Sequence, residues 1–432
     1  MVVTPGSKSL EIRGEFPPGT NTTFGVVDGG EAFTENVEVL GLSEGAVFVS
    51  PKGGEWELPP CAMGCEVRYS FALRRAAEVL NERGSAEVLG PAIQAPVSTW
   101  LLRPLAAKPG IPIALNVQPA PGETYATGVS DLRTAEVLDL PYTVFGAPVH
   151  VQLHPSLEVA LVGESFAQQE EVLAWVDKSA QVVRAFYGQP PIPKVLVIVR
   201  GIVGNKVGFG STMGMSGAAI RIDVGKNATA SDLQDDWVMI HEMIHTALPE
   251  LTPKHRWLEE GLATYLEPVA RAQAGLLSEE QVWEEWLRRM RLGLPRAGDL
   301  GLNRTPSWGR TYWGGALFCL LADVQIRERT QNRASLGDAL RAIVAKGGNV
   351  GVIWPIEQVL AVGDEATGVS VLKELYQKLA LAPESPDLQE LFGKLGVSLK
   401  RRQVVFDDRA PLAAVRRAIL AKRVQGVQGR SR

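Results

Sequence analysis

Two histidines separated by three residues lie in the stretch His241-Glu242-Met243-Ile244-His245. On a helix, residues four apart project from the same face, one turn above the other, so both imidazoles can reach a single metal ion. Only five histidines occur among the 432 residues, which makes a chance match to this pattern rare. The stretch therefore predicts two zinc ligands, His241 and His245, on one helix.

The glutamate between these histidines predicts a catalytic rather than a structural metal site. A catalytic zinc ion takes three protein ligands and keeps a fourth position for water, whose pKa it lowers to about 7. Glu242 follows His241 by one residue and is rotated about 100° around the helix, so it faces the water rather than the metal. We expect Glu242 to act as a general base, taking a proton from the attacking water and passing it to the leaving amine.

A third ligand is expected from the stretch Trp257-Leu258-Glu259-Glu260-Gly261, which offers two adjacent carboxylates. Only one of them should bind the metal, because neighbouring residues point in different directions around a helix. An apolar stripe defines the buried side of this helix, and Glu260 shares its face with small residues that let a second helix approach. The periodicity favours Glu260 and leaves Glu259 open. The stripe consists of Leu258, Leu262, Tyr265 and Val269.

These motifs resemble the gluzincin metallopeptidases, in particular the aminopeptidase N and glycyl aminopeptidase families. Their pattern is His-Glu-x-x-His followed by a helix carrying Glu-Gly, and the resemblance implies that Glu260 is the third ligand of one zinc ion per chain. The stretch Tyr312-Trp-Gly-Gly-Ala-Leu317 is similar to the families' Tyr-x-Lys-Gly-Ala segment. By this resemblance the Tyr312 hydroxyl stabilises an oxyanion. The segment from Ile326 to Asp338 is also similar to the glycyl aminopeptidase type.

One part of the family pattern is missing. Aminopeptidase N relatives carry Gly-x-Met-Glu-Asn on an edge strand upstream of the zinc helix, and its glutamate binds the free amino group of the substrate. The corresponding stretch here, Gly210-Ser-Thr-Met-Gly-Met-Ser216, contains no acid, and Gly314 replaces the family's lysine. The sequence therefore predicts zinc-dependent hydrolysis of peptide bonds and leaves exopeptidase and endopeptidase specificity open.

Composition excludes several other classes of function. The 44 basic and 48 acidic residues give a net charge of −4, so no overall field favours nucleic acid, and the expected partner is a peptide or protein substrate. No apolar run approaches the roughly 18 residues of a membrane span, and the first residues lack a signal peptide's pattern. We expect a soluble chain as given. The compartment, cytoplasmic or exported, and the oligomeric state stay open.

The order of sequence patterns predicts a multidomain fold. Residues 1–152 are rich in Gly and Pro with short alternating runs and predict an all-β domain. For residues 153–275 the patterns predict strands near 157–162 and 194–200 and a helix over about 168–187, and the gluzincin resemblance implies a thermolysin-like α+β catalytic domain. Residues 276–432 predict helices that complete this domain and end the chain, at about 279–292, 311–328, 336–345 and 370–381.

Local signals predict how some of these elements begin. Ser231 and Gln234 have the spacing of a capping box and predict the start of the zinc-site helix. Thr252-Pro253 predicts the start of the next helix, because proline fits a first helical position. Cys61 and Cys65 are close enough in sequence to form one disulfide if the backbone turns suitably.

Three alternatives remain at this stage. The chain could be a noncatalytic member of the same fold that binds or scaffolds peptides, although a structural metal site has no use for Glu242. Tyr312 could serve only in core packing among Trp308, Trp313 and Phe318. His255 could help shape the cleft, although a solvated helix start is favoured.

Overall fold

A computed structural model describes residues 2–5, 9–20, 22–27, 29–42, 45–105, 112–119, 121–129, 135–136 and 141–422. The chain divides into two compact units. The first comprises Met1–Trp175 and Ile192–Asp236, and the second comprises Val176–Pro191 and Trp237–Arg432. The domain boundaries predicted after residues 152 and 275 stay a prediction.

The amino-terminal part of the first unit consists mainly of small antiparallel sheets. One sheet of six strands has the order Asn116–Val117, Val2–Pro5, Leu10–Phe16, Cys65–Phe71, Thr34–Leu42 and Gly45–Phe48. A second sheet has the order Thr124–Thr127, Tyr142–Gly146, Ala92–Pro96 and Glu87–Leu89. Shorter sheets pair Arg103–Pro104, Thr23–Gly25 and Trp56–Glu57, and Pro112–Ile113 with Ala135–Glu136. Cys61 and Cys65 form a disulfide.

This region is β-rich rather than all-β, which corrects the sequence prediction. It contains the helices Leu73–Leu80 and Val97–Trp100 and a 3-10 turn at Gly30–Phe33. The strand Cys65–Phe71 ends two residues before Leu73. Leu73, Ala76 and Ala77 are buried at helical spacing, and alanine is the strongest helix former, so the chain turns into a helix there.

A five-stranded sheet completes the first unit. Its order is Val149–His154, Leu157–Gly163, Val195–Ile202, Ala218–Gly225 and Val207–Met213. The three middle strands run parallel and are nearly all apolar, as expected for strands buried on both faces. The helix Gln169–Tyr187 connects the first two of these strands along the chain. Val207–Met213 is antiparallel to its neighbour and lies at the edge of the sheet.

The second unit is mainly helical. Two of its helices carry the motifs of the predicted metal site and are called the motif helix (Val238–His245) and the glutamate helix (Arg256–Gln273). A π-helix over Gly309–Gly314 leads into a third, the glycine helix (Gly315–Thr330). Further helices are Glu279–Arg289, Leu336–Ala345, Ile356–Thr367, Val371–Leu375, Leu388–Leu395 and Ala413–Leu420. Single turns lie at Pro253–His255, Met290–Gly293 and Tyr376–Ala380, and a hairpin pairs Val397–Lys400 with Gln403–Phe406.

The prediction that Ser231 opens the motif helix is wrong. The capping box is formed by Thr229 and Asp232, each accepting a hydrogen bond from the other's backbone, and it starts a separate short helix, Ala230–Gln234. The motif helix begins four residues later, without a side-chain cap. Its start is fixed by burial instead, because Met239, Ile240 and Met243 are nearly inaccessible to solvent.

The glutamate helix and the glycine helix are in backbone contact where two glycines meet. A Cβ atom on Gly261 would overlap the backbone of Gly315, and one on Gly315 would overlap the carbonyl oxygen of Trp257. Only glycine permits such an approach. Gly261 follows Glu260, and Gly315 lies three residues after Tyr312, so this contact fixes the elements that carry both side chains.

Candidate metal centre

Three of the predicted metal ligands meet in the second unit. His241 and His245 lie one turn apart on the motif helix, with ring centroids 4.9 Å apart. One carboxylate oxygen of Glu260, Oε2, lies 3.5 Å from Nε2 of His241 and 3.6 Å from Nε2 of His245. Among the described residues, this is the one group of three or more such side chains whose ligand atoms converge, all within 4.8 Å of one another.

The group fits a zinc ion in donor type and in spacing. Two imidazole nitrogens and one carboxylate oxygen form a donor set found at catalytic zinc sites. With bonds of roughly 2.1 Å in a tetrahedral arrangement, ligand atoms lie about 3.4 Å apart, close to both measured nitrogen–oxygen separations. Nδ1 of His241 is buried and makes no hydrogen bond within the described part of the chain.

The charges around this group favour a deprotonated carboxylate. Burial raises the pKa of Glu260, but hydrogen bonds from His241 and His245 outweigh it and hold this pKa well below its usual range. Burial also lowers the pKa of His241. Burial also lowers the pKa of His245, but Glu260 and the negative charge of Glu242 outweigh this effect, so the pKa of His245 is raised. An ionised Glu260 and a neutral His241 are in the state that metal coordination requires, whereas a protonated His245 would have to release its proton on binding a metal.

The adjacent glutamate, Glu259, bonds a backbone group and does not face the histidines. Glu259 accepts a hydrogen bond from the backbone N–H of Leu251, at 3.0 Å. Burial, reinforced by the neighbouring charge of Glu250, raises the pKa of Glu259 to about 7. The geometry therefore brings Glu260, and not Glu259, to the histidines.

Glu242 and Tyr312 lie within electrostatic range of the same group. Glu242 is buried on the motif helix, and its charge raises the pKa of His245. Tyr312 is half-buried on the π-helix, and its ring stacks on that of His241 with a centroid separation of 6.5 Å. Burial and then the charge of Glu260 raise the pKa of Tyr312. Tyr265, by contrast, donates a hydrogen bond to Asp323 at 2.9 Å and is fully buried.

A buried polar network at the start of the glutamate helix could not be found from the sequence. His255 is 2% exposed, so its predicted solvated position is wrong. Its ring bonds the Thr252 hydroxyl at 3.1 Å and the Tyr376 hydroxyl at 3.0 Å. Asn303 donates to Tyr376 and accepts from the Trp257 indole, both at 2.8 Å. These partners are up to 121 residues apart in the chain, and no local pattern links them.

Comparison with known proteins identifies the fold at the level of solved structures. No protein-family model matches the sequence, and no curated protein matches it. The structure is similar to an aminopeptidase N family protein from Idiomarina loihiensis, with a TM-score of 0.65 and 14% identity over 92% of this chain and 78% of that one.

Two further solved structures share the fold. One is an M1 zinc metallopeptidase mutant from Deinococcus radiodurans bound to a Tyr-Ser-Ala substrate, with a TM-score of 0.53 and 14% identity over 90% of this chain and 94% of that one. The other is aminopeptidase A from Legionella pneumophila in complex with aspartic acid, with a TM-score of 0.53 and 11% identity. That match covers 88% of this chain and 49% of the other. At these identities the likeness establishes a multidomain metallopeptidase fold. No helix among the described residues has the length and apolar character needed to cross a bilayer.

Proposed function

We propose that this chain is a zinc-dependent peptidase of the aminopeptidase N type. The observation that carries the proposal is the convergence of His241, His245 and Glu260 on one point. The fold shared with zinc metallopeptidases supports it. The site would hold one zinc ion per chain through these three side chains.

The mechanism assigns a separate task to each remaining side chain. Zinc, when bound, polarises the substrate carbonyl and makes water nucleophilic near neutral pH. The Glu242 carboxylate takes the proton from the attacking water and returns it to the nitrogen of the leaving amine. The Tyr312 hydroxyl donates a hydrogen bond to the oxygen that becomes negatively charged, and the raised pKa of Tyr312 keeps it protonated for that task.

Specificity for a free amino terminus is a separate question. The strand Val207–Met213, which overlaps the stretch that resembles the family's amine-binding segment, carries no carboxylate. Purified zinc-loaded chain should hydrolyse peptides, and the test compares matched peptides with free and acetylated amino termini. A preference for the free form would indicate an aminopeptidase, and equal rates would indicate an endopeptidase. The proposal fails if neither peptide is cleaved with zinc bound, or if chelation leaves cleavage unchanged.

The neighbouring glutamates offer a matched test of the ligand assignment. Glu260→Ala should lower zinc affinity by about 10- to 100-fold or more, since it removes a ligand atom. Glu259→Gln should keep zinc near one per chain, because Glu259 bonds a backbone N–H instead. Zinc content after dialysis against graded chelator measures both. Full zinc retention by Glu260→Ala, or by His241→Ala, would contradict the assignment.

A further inference from the structure

Four aromatic rings form a continuous row through the candidate metal centre. The indole of Trp237 packs edge-on against His241, with centroids 5.4 Å apart. The ring of Tyr312 stacks on that of His241 with centroids 6.5 Å apart, and the ring of Trp308 lies 6.0 Å from that of Tyr312. The proposed ligand His241 and the proposed hydrogen-bond donor Tyr312 thus occupy the middle of the row, and an indole stands at each end.

The two end rings are exposed, unlike the other tryptophans. Trp237 is 52% exposed and Trp308 is 60% exposed. All ten tryptophans of the chain lie within the described residues, and seven of the other eight are buried. Tryptophan loses favourable burial when it is left in water. Exposure of two indoles beside the same pair of reactive groups indicates a surface kept open for a ligand.

The position of these rings defines the chemistry of that ligand. A peptide whose scissile bond lies beside His241 and Tyr312 has its flanking residues within reach of the two indoles, because Trp237 contacts His241 and Trp308 contacts Tyr312. Indole surfaces bind apolar and aromatic side chains by hydrophobic and ring contacts. A small side chain would leave most of both indole surfaces in contact with water.

We propose that Trp237 and Trp308 select substrates with large apolar or aromatic residues beside the scissile bond. This inference rests on the proposed function, because it places the scissile bond at the metal centre. Both indoles are specificity residues that contact the substrate side chains and take no part in proton transfer.

Equilibrium binding tests the inference apart from catalysis. The zinc-loaded Glu242→Gln chain is titrated with Gly-Phe-Phe-Gly and with Gly-Ala-Ala-Gly. We expect the Kd for the phenylalanine peptide to be about tenfold lower, the size of one good aromatic contact. Adding Trp308→Ala should abolish most of that preference. Phe48→Ala, which removes an aromatic ring that is 72% exposed on the strand Gly45–Phe48, should leave the ratio of the two Kd values unchanged.

The outcomes separate this inference from the proposed function. Equal Kd values for the two peptides, or a preference that survives both Trp237→Ala and Trp308→Ala, would overturn the role of the indoles. Trp237 also contacts His241, so zinc content is measured in each variant, and Trp237→Phe replaces Trp237→Ala if zinc is lost. A third outcome is that the unmutated chain cleaves neither peptide while the Glu242→Gln chain still binds the phenylalanine peptide more tightly. That result would refute the proposed peptidase activity and support the binding role of the two indoles.

Discussion

Replacing Glu242 by glutamine is expected to lower kcat/KM for peptide hydrolysis by about 10²- to 10⁴-fold, the usual contribution of a general base. Glutamine has almost the same shape but cannot accept the proton of the attacking water. Glu242 is buried on the motif helix, and an isosteric change there should preserve packing. Kinetic assays with a free-terminus peptide, alongside zinc content by metal analysis, measure the effect.

This result would decide between the peptidase and the noncatalytic alternative. Zinc should stay near one per chain in Glu242→Gln, because the proposed ligands are His241, His245 and Glu260. Hydrolysis at the unmutated rate would refute the mechanism. Glu259→Gln is the matched control: it makes the same isosteric change at a partly buried glutamate near the site. Hydrolysis should continue, since Glu259 bonds the Leu251 backbone.

Replacing Gly315 by alanine is expected to destabilise the protein by about 3 kcal/mol, at the upper end of the usual cost of overpacking. The new methyl group would overlap the carbonyl oxygen of Trp257 and approach Gly261. Backbone atoms cannot move aside as a flexible side chain can, so the glutamate helix and the glycine helix must separate. Urea denaturation measures the change.

The chain provides a control for helix propensity. Gly393 also lies inside a helix, Leu388–Leu395, and a Cβ atom there would meet nothing within 4 Å. Gly393→Ala should therefore stabilise the chain by about 0.5–1 kcal/mol, because alanine favours the helix. An unchanged urea midpoint in Gly315→Ala would show that the two helices do not require this contact.

The elements with clear local signals were predicted well. The helix expected over residues 168–187 spans Gln169–Tyr187, and the one expected at 336–345 spans Leu336–Ala345. Gly188, with its left-handed backbone, ends the first, and a capping box of Ser335 and Asp338 starts the second. Both signals lie within a few residues of the boundary they set, so a single sequence contains them.

Features that depend on contacts between residues far apart in the chain could not be predicted from sequence patterns. Periodicity favoured Glu260 but could not exclude Glu259, because the two residues are adjacent on one helix. The decision depends on the Leu251 backbone and on two histidines from another helix. The burial of His255 depends on Tyr376 in the same way. The Ser231 prediction failed for a local reason, since Thr229 and Asp232 form a competing capping box of the same spacing.

The π-helix at Gly309–Gly314 affects how the proposed active site could change during evolution. A π-turn closes its hydrogen bonds between residues five apart instead of four, so it holds one more residue than an α-helical turn. In a regular helix, adding or removing one residue rotates every later side chain by about 100°. Here the π-turn holds the extra residue before Gly315. A change in its length can therefore reorient Tyr312 while the contact between Gly261 and Gly315 keeps its register. Substitutions and insertions can therefore change the position of Tyr312 without separating the glutamate helix from the glycine helix.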